Sequence, residues 1–329
     1  MLLGEKEARS LCARVLGNVR ADDAEVKIQN EDYSQLRFAA NNLTTNGRRE
    51  DLDVTVTVWI DGKKGSASNN ETDDESLVKV VRQAESVARI SPVDPEHLLT
   101  LGAQKYKPVG GFTEATVRAD PAARAKTIHG IIASCKKAGV TGAGFHQARG
   151  SVEAAATKHG NFRHHRRSLA SLSLTARATM GDGSGYFLRN HFDVAKLDTG
   201  RIAREAIQKA LRSRQPKTLD PGTYTVILEP LAMADLLGRV ASFFDARTAD
   251  EGRSPFSSPG GKTRLSERVF DERVSLYSDP WHPKIPARLM PRMASPRRSS
   301  TWCTTGFSRI WFTRASGRRR RTSLPLRDR

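Results

Sequence analysis

The sequence is poor in cysteine, poor in aromatic residues and free of long apolar runs. Its 329 residues include three cysteines, Cys12, Cys135 and Cys303, which form no Cys-x-x-Cys pair, so a disulfide framework is not expected. Cys12 and Cys135 each lie on the apolar side of a helical pattern and are predicted to be reduced core thiols. No stretch approaches the roughly 18 apolar residues of a membrane span. The chain turns polar by Glu5, which excludes a signal peptide, so we expect a cytoplasmic protein without membrane contact.

Acidic residues are also in deficit. There are 36 Asp and Glu against 54 Lys and Arg, for a net charge of +18, which would suggest a nucleic-acid partner if the charge were spread over the chain. Residues 287–329 alone, however, contain twelve arginines, no lysine and a single acid, Asp328. Because most of the excess lies in that segment, the rest of the chain gives no charge signal for DNA binding. Its composition is typical of a globular protein that can bury a sizeable core.

The eight histidines show none of the i, i+4 pairs that a helical zinc site requires. His159, His164 and His165 lie close together in sequence, but neighbouring Lys and Arg side chains disfavour a bound metal ion. Gly160-Asn161 is a turn signal, so the cluster is interpreted as a solvated hairpin, with a metal site and a substrate or partner contact as alternatives. The other histidines are isolated: His97, His129, His146, His191 and His282. We predict no catalytic, cofactor-binding or metal-binding residue in this chain.

Hydrophobic periodicity predicts an α-β-β-β-α unit over the first hundred residues. Its elements are a helix over 5–17, a strand over 24–28 that returns over 34–38, a strand over 52–60 that turns back to 65–67, and a helix over 74–89. Asn41-Asn42, Asn46-Gly47 and Asp61-Gly62 are turn signals. Thr72 or Asp73 is the predicted N-terminal cap of the second helix.

Prolines and glycines between residues 92 and 111 indicate a linker. Beyond it the pattern predicts a helix over 121–137, strands over 140–149, 151–158 and 162–179, and a helix over 199–213. The glycines of 181–185 lack the spacing of a phosphate-binding loop, and the segment is interpreted as a flexible loop. No internal repeat is visible in the sequence.

The stretch from Thr218 to Pro280 contains the most distinctive order of motifs. After the turn Asp220-Pro221-Gly222, Tyr224, Val226 and Leu228 alternate with Thr223, Thr225 and Ile227, which predicts a strand. Pro230 then opens a predicted helix, whose inward face is expected to carry Leu231, Ala234, Leu237, Val240 and Ala241. A Gly/Ser/Pro-rich loop over 252–261 and a charged strand ending at Asp279-Pro280 complete the stretch.

This order resembles the TldD/PmbA family of zinc metalloproteases. The motifs are Gly-x-Tyr-x-Val-x-Leu-x-Pro from residue 222, Glu-Gly-Arg-Ser-x-Phe from 251, Glu-Arg-Val from 267 and Asp-Pro at 279. The family motif Ala-x-x-Leu-Leu is matched at Leu236-Leu237, with Met233 in place of its alanine. The resemblance extends over roughly residues 1–286 and is closest to the PmbA (TldE) branch. Each motif is short, and their order over so long a span makes the match specific.

The resemblance also implies what this chain lacks. In the TldD branch the helix after this strand carries His-Glu-x-x-x-His, in which the histidines bind Zn²⁺ and the Glu is the general base for metal-bound water. Here the corresponding helix contains Leu237-Gly238-Arg239-Val240-Ala241-Ser242-Phe243, with no His and no Glu. The chain is therefore interpreted as the metal-free partner, with zinc expected in a TldD-type catalytic subunit.

The predicted fold class is α+β. We expect an N-terminal α/β domain over 1–100, a central α+β domain over 105–215, the start of a β-rich C-terminal domain over 218–286, and a disordered Arg-rich tail over 287–329. The tail sustains neither strand nor helix period, and the family's remaining β-rich half is missing. Our hypothesis is that the chain is C-terminally truncated and that this tail is a frameshifted read of a GC-rich gene.

The predicted role is that of a PmbA/TldE-type subunit of a cytoplasmic zinc metalloprotease complex that acts on peptides or unfolded segments. The resemblance implies a heterodimer with the TldD-type subunit, or a homodimer. One alternative is a nucleic-acid-binding protein that uses Arg318 to Arg321 and the tail aromatics, for which affinity should fall steeply with salt. Another is a non-functional truncated product. Nucleic-acid and membrane partners are not expected.

Overall fold

A computed structural model describes residues 1–178, 182–286, 300–304 and 307–308 of the chain. The protein is α+β. Its first part consists of α1 (Glu5–Gly17), β1 (Asp23–Ala39), β2 (Asn42–Ile60), β3 (Lys63–Asn69) and α2 (Asp74–Ile90). The predicted bounds of α1 are confirmed, and α2 extends one residue beyond its predicted end. Asp73 is the cap of α2, because its carboxylate accepts a hydrogen bond from the Ser76 amide at 2.9 Å.

The second part repeats this order after a connecting segment, residues 91–113. A short helix, α3 (Glu114–Val117), comes first. The remaining elements are α4 (Pro121–Lys137), β4 (Val140–Thr157), β5 (Phe162–Ala178), β6 (Ser184–His191), a 3-10 turn (Val194–Lys196) and α5 (Thr199–Arg212). Pro121 is the first residue of α4, where its missing N–H costs nothing, and the Asp120 carboxylate caps the helix.

Six antiparallel strands form one sheet in the order β3-β2-β1-β4-β5-β6. The two parts join where β1 pairs with β4, from Glu25 opposite Thr157 to Phe38 opposite Gly144. The helix-strand-strand-strand-helix order of α1 to α2 therefore recurs in α4 to α5, related by a two-fold arrangement about the β1–β4 pair. This repeat is not visible in the sequence. The sheet continues across the predicted division at residues 100–105.

One face of the sheet holds both hydrophobic cores. Even-numbered residues of β1 point to this face, since side chains alternate along a strand. Ala24, Val26 and Ile28 pack under α1 and α2, whereas Leu36 and Phe38 pack with α4 and α5. The two cysteines predicted to be core thiols are buried, one in each core. Burial raises the pKa of Cys12 to about 12 and that of Cys135 to about 11.

Several predicted strand limits were wrong. The segments 24–28 and 34–38 belong to one continuous strand, β1, and 140–149 and 151–158 belong to β4. Asn46-Gly47 lies within β2 and makes no turn. The two-residue turns that do occur are Ala40-Asn41 and Asp61-Gly62, in which every residue has positive φ. Such turns suit the twist of antiparallel strands.

The glycines of 181–185 were also misinterpreted. Residues 179–181 lie outside the described part of the chain, but Gly185 lies within β6 beneath α5. A Cβ atom at Gly185 would lie 2.1 Å from the carbonyl oxygen of Ala206. The glycine thus lets helix and strand approach closely.

The C-terminal part is less regular. Its elements are α6 (Pro230–Ser242), α7 (Ala246–Asp250), β7 (Ser257–Ser258), β8 (Lys262–Thr263), β9 (Leu276–Ser278), β10 (Ser300–Thr304) and β11 (Phe307–Ser308). The strands form two small sheets, β7-β8 and β11-β10-β9. Phe244 and Phe256 are buried and their ring centroids lie 4.7 Å apart, which makes a small aromatic core.

The predicted strand at Tyr224 and the predicted inward face of the following helix were wrong. Residues 223–229 have no regular secondary structure and pair with no strand in the described part of the chain, and Ile227 is 98% exposed. The helix forms as α6, yet none of its residues is buried by the described residues. The apolar alternation over 224–228 and the helical period of α6 are present in the sequence, but the described residues form no layer that buries either set of side chains.

The predicted Arg-rich tail, 287–329, lies outside the described residues except for β10 and β11. β10 pairs with β9 in antiparallel register, with Ser300 opposite Ser278. In the described ranges, no helix combines the length and apolar character needed to cross a bilayer.

Candidate functional site

Helix α6 is the position at which the resemblance puts the zinc motif. It begins after Glu229, whose carboxylate binds the Lys209 ammonium group of α5. Asp235 is the one acidic residue within the helix, and the helix contains no His or Cys. Met233 and Leu236 point into solvent. These donors do not fit a zinc ion, which needs three or four N, S or O ligands around one point.

Elsewhere in the described residues, no three His, Cys, Asp or Glu side chains are grouped so that they could hold a metal ion. The predicted histidine cluster is divided by the geometry of the hairpin between β4 and β5. His164 and His165 are consecutive in β5 and lie on opposite faces of the sheet. His164 approaches the Leu3 carbonyl oxygen at 3.4 Å, His165 is buried, and His159 lies in the turn. The hairpin was predicted correctly, but it is less solvated than expected.

The best-defined polar cluster surrounds Asp23 at the start of β1. Asp23 is fully buried and accepts hydrogen bonds from the Thr100 amide at 2.6 Å and the Thr100 hydroxyl at 2.5 Å. The His159 ring lies 3.3 Å from one carboxylate oxygen, and the His97 ring lies 3.8 Å from the other. His97 also stacks on Trp59, with centroids 5.0 Å apart. Sequence analysis missed this cluster because its members are up to 136 positions apart.

This cluster fastens the connecting segment to the sheet. An imidazole held by a carboxylate can serve as a general base. Here, however, the Thr100 hydroxyl donates to Asp23 itself, so it is not activated by either histidine. The Thr157 hydroxyl donates to the Leu101 carbonyl at 2.8 Å, which adds a second attachment to the same segment. The arrangement is therefore structural.

The second polar feature is on the sheet face opposite the cores. Tyr33 of β1 lies between two guanidinium groups, with Arg49 5.2 Å and Arg149 5.1 Å from its ring centroid. Both arginines also contact Glu31, at 3.2 and 3.4 Å. Arg49 also contacts Asp51 at 3.0 Å, so two carboxylates balance the two guanidinium groups and the cluster does not mark an anion-binding surface.

The sequence matches three family models along most of its length. PmbA/TldA metallopeptidase domain 1 matches residues 24–88, the central domain matches 113–214, and the C-terminal domain matches 221–302. The chain belongs to the PmbA/TldD metallopeptidase family. The first two matches coincide with β1 to α2 and with α3 to α5, the two parts that share the sheet. No curated protein matches the sequence significantly.

Solved structures show the same fold as this family member. The chain superposes with a TM-score of 0.84 and 16% identity on a putative modulator of a DNA gyrase from Thermotoga maritima MSB8, covering 93% of this chain and 71% of that one. For TldE from Thermococcus kodakarensis the TM-score is 0.78, the identity 16%, and the coverage 93% and 69%. For a putative modulator of DNA gyrase from Bacteroides thetaiotaomicron VPI-5482 the TM-score is 0.80 and the identity 15%, and the match covers 94% of this chain and 72% of that one. At these identities the likeness concerns the fold.

The C-terminal match overlaps the predicted start of the Arg-rich tail. That boundary was placed after Pro286, whereas the family model extends to residue 302. The match therefore includes the first residues of β10, which pairs with β9. Residues 309–329, including Arg318 to Arg321, lie beyond both the match and the described residues.

Proposed function

We propose that this chain is a TldE-type, zinc-free subunit of a cytoplasmic metallopeptidase complex that cleaves peptides or unfolded segments. The observation that carries the proposal is α6, which has no His, Cys or Glu in a chain that belongs to a metallopeptidase family. A family member without the metal donors can contribute to proteolysis only beside a subunit that has them. The chain's own residues then help to bind and orient the substrate.

The partner in this proposal is a TldD-type subunit that supplies zinc, with a homodimer as the other assembly. Support comes from the apolar side chains left uncovered around α6, including Ile227, Met233, Leu236 and Phe243. A contiguous exposed apolar surface is typical of an interaction site. Segment 223–229 has no strand partner within the described residues, so it can also accept a neighbouring strand.

Co-purification with a TldD-type protein from the same genome tests the proposal. We expect the full chain alone to contain no stoichiometric zinc and to leave an unstructured peptide intact. The mixture should cleave the peptide faster than the TldD-type protein alone and should lose activity with a chelator. One tightly bound zinc per chain, or chelator-sensitive cleavage by the chain alone, would contradict the proposal. An Ile227→Asp variant should weaken association, whereas the distant Lys126→Met variant should not.

A further inference from the structure

Two basic side chains are buried beside the second hydrophobic core without polar partners. Arg124 in the first turns of α4 and His146 in β4 each expose 3% of their surface. Within the described chain, neither ring nitrogen of His146 has a hydrogen-bond partner, and the same is true of Nε and Nη1 of Arg124. Both residues are more than nine-tenths buried, so bulk water does not replace the missing partners. Buried polar groups of native proteins are normally satisfied.

Both side chains border the second hydrophobic core, His146 from strand β4 and Arg124 from helix α4. His146 lies in β4 opposite Leu36 of β1 and Leu172 of β5, and both leucines belong to the second core. Ile128, one helical turn after Arg124, belongs to the same core. Burial, together with the nearby positive charge of Arg124, lowers the pKa of His146 to about 4. The imidazole is therefore neutral and offers one donor N–H.

No carboxylate of the described residues forms a hydrogen bond or a close ion pair with Arg124. Asp120 attracts Arg124, but its two carboxylate oxygens accept hydrogen bonds from the amides of Ala122 and Ala123 at 3.1 and 3.2 Å. Asp32, on the same sheet face, is bound by both Nε and Nη2 of Arg48 at 2.9 and 2.7 Å. The Arg124 guanidinium is thus a buried cation without a bonded counter-charge, a situation that costs much free energy in a protein interior.

We propose that Arg124 and His146 bind a small anion, a halide or an inorganic oxyanion, between α4 and the sheet. The guanidinium N–H groups supply charge-assisted hydrogen bonds, and the His146 N–H supplies one more. A trapped water molecule satisfies hydrogen bonds but adds no negative charge, and the Asp120 carboxylate that attracts Arg124 is not bonded to it. The bound anion fastens α4 to β4. This site is independent of the proposed function, since it lies in the other part of the fold.

Anion-dependent stability of the full chain tests the site. At constant ionic strength, maintained with a bulky sulfonate, chloride raised from zero to about 200 mM should increase Tm by about 5 °C, the size that mass action gives for a millimolar site. The Arg124→Met variant should lose this dependence, and Arg124→Lys should retain part of it. Lys126→Met, which removes an exposed charge from the same helix, should respond like the native chain. Inorganic phosphate as a second probe separates a halide site from an oxyanion site.

A direct measurement on the native chain covers the case in which the Arg124 variants do not fold. With isotope-labelled histidine, the ring resonances of His146 should shift saturably as chloride or phosphate is added. Those of exposed His129 on α4 should not move. The absence of a saturable His146 shift with both probes would overturn the proposal. So would an unchanged chloride dependence of Tm in Arg124→Met.

Discussion

Gly65 and Gly185 are equivalent residues at the two edges of the six-stranded sheet. A Cβ at Gly65 of β3 would lie 2.1 Å from the carbonyl oxygen of Ala84 in α2, and one at Gly185 of β6 would lie 2.1 Å from that of Ala206 in α5. In both parts of the fold, a helix therefore packs on an edge strand through a glycine. This shared contact supports the two-fold repeat of α1 to α2 in α4 to α5.

Alanine at either glycine should destabilise the protein. Gly185→Ala or Gly65→Ala forces the covering helix away from its strand, and we expect a loss of at least about 2 kcal/mol in the free energy of unfolding. Urea denaturation followed by circular dichroism measures this loss. Gly130→Ala is the control, because Gly130 is an exposed residue of α4 and a Cβ there would meet no described atom within 4 Å. It should be neutral or stabilising by up to about 1 kcal/mol. Equal effects of all three substitutions would refute the contact.

Asp23→Asn should loosen the connecting segment. The carboxylate accepts two hydrogen bonds from Thr100 and lies beside two imidazoles, and an amide can replace only part of these interactions. We expect a loss of about 2 kcal/mol, within the range for a disturbed buried network. Trypsin should also cut faster after Lys105, whereas Lys107 precedes Pro108 and is not a trypsin site. Asp22→Asn, at the neighbouring exposed residue, is the control, and matching proteolysis of the two variants would count against the role of Asp23.

His146 should make stability fall in mild acid. Its folded-state pKa of about 4 lies below the ordinary value of 6.5, so the unfolded state binds the proton more readily. The contribution is complete above pH 6.5 and is lost as pH falls toward 4. It amounts to roughly 3 kcal/mol without a bound anion. Urea unfolding at several pH values in halide-free buffer should show a shallower decline in His146→Gln than in the native chain. The His129→Gln control should retain the native slope, and an identical slope in His146→Gln would exclude this assignment.

Cys12 and Cys135 should be unreactive while the protein is folded. Burial raises both thiol pKa values, so the reactive thiolate is scarce at pH 8. Iodoacetamide labelling read peptide by peptide should modify neither cysteine in buffer and both in urea, with rates that differ by about 100-fold or more. Val15→Ala, which opens space beside Cys12 in α1, should speed labelling of Cys12 and leave Cys135 unchanged. Rapid labelling of both thiols in native buffer would disprove their burial.

The sequence by itself determined the elements whose signal is local. Period 3.6 located α1, α2, α4 and α5 to within a residue or two, and the predicted pair of cap residues for α2 included Asp73, because helix hydrogen bonds and caps join near neighbours. The ordered motifs over 222–280 were enough to recognise the family, and the absence of zinc donors in α6 is a property of sequence alone. The buried faces of β1, β2 and β5 also followed from alternation.

Only the tertiary structure decided how those elements combine. Pairing of β1 with β4 is long-range and leaves no local pattern, so neither the single sheet nor the repeat could be read from the chain. The contacts of Asp23 with His97 and His159, and the burial of both Arg124 and His146 beside one core, likewise depend on strand register and helix placement. Conversely, Tyr224, Val226 and Leu228 alternate like a buried strand but remain exposed within the described chain. Alternation shows only that one face of a segment is apolar, and burial of that face requires a second layer packed against it.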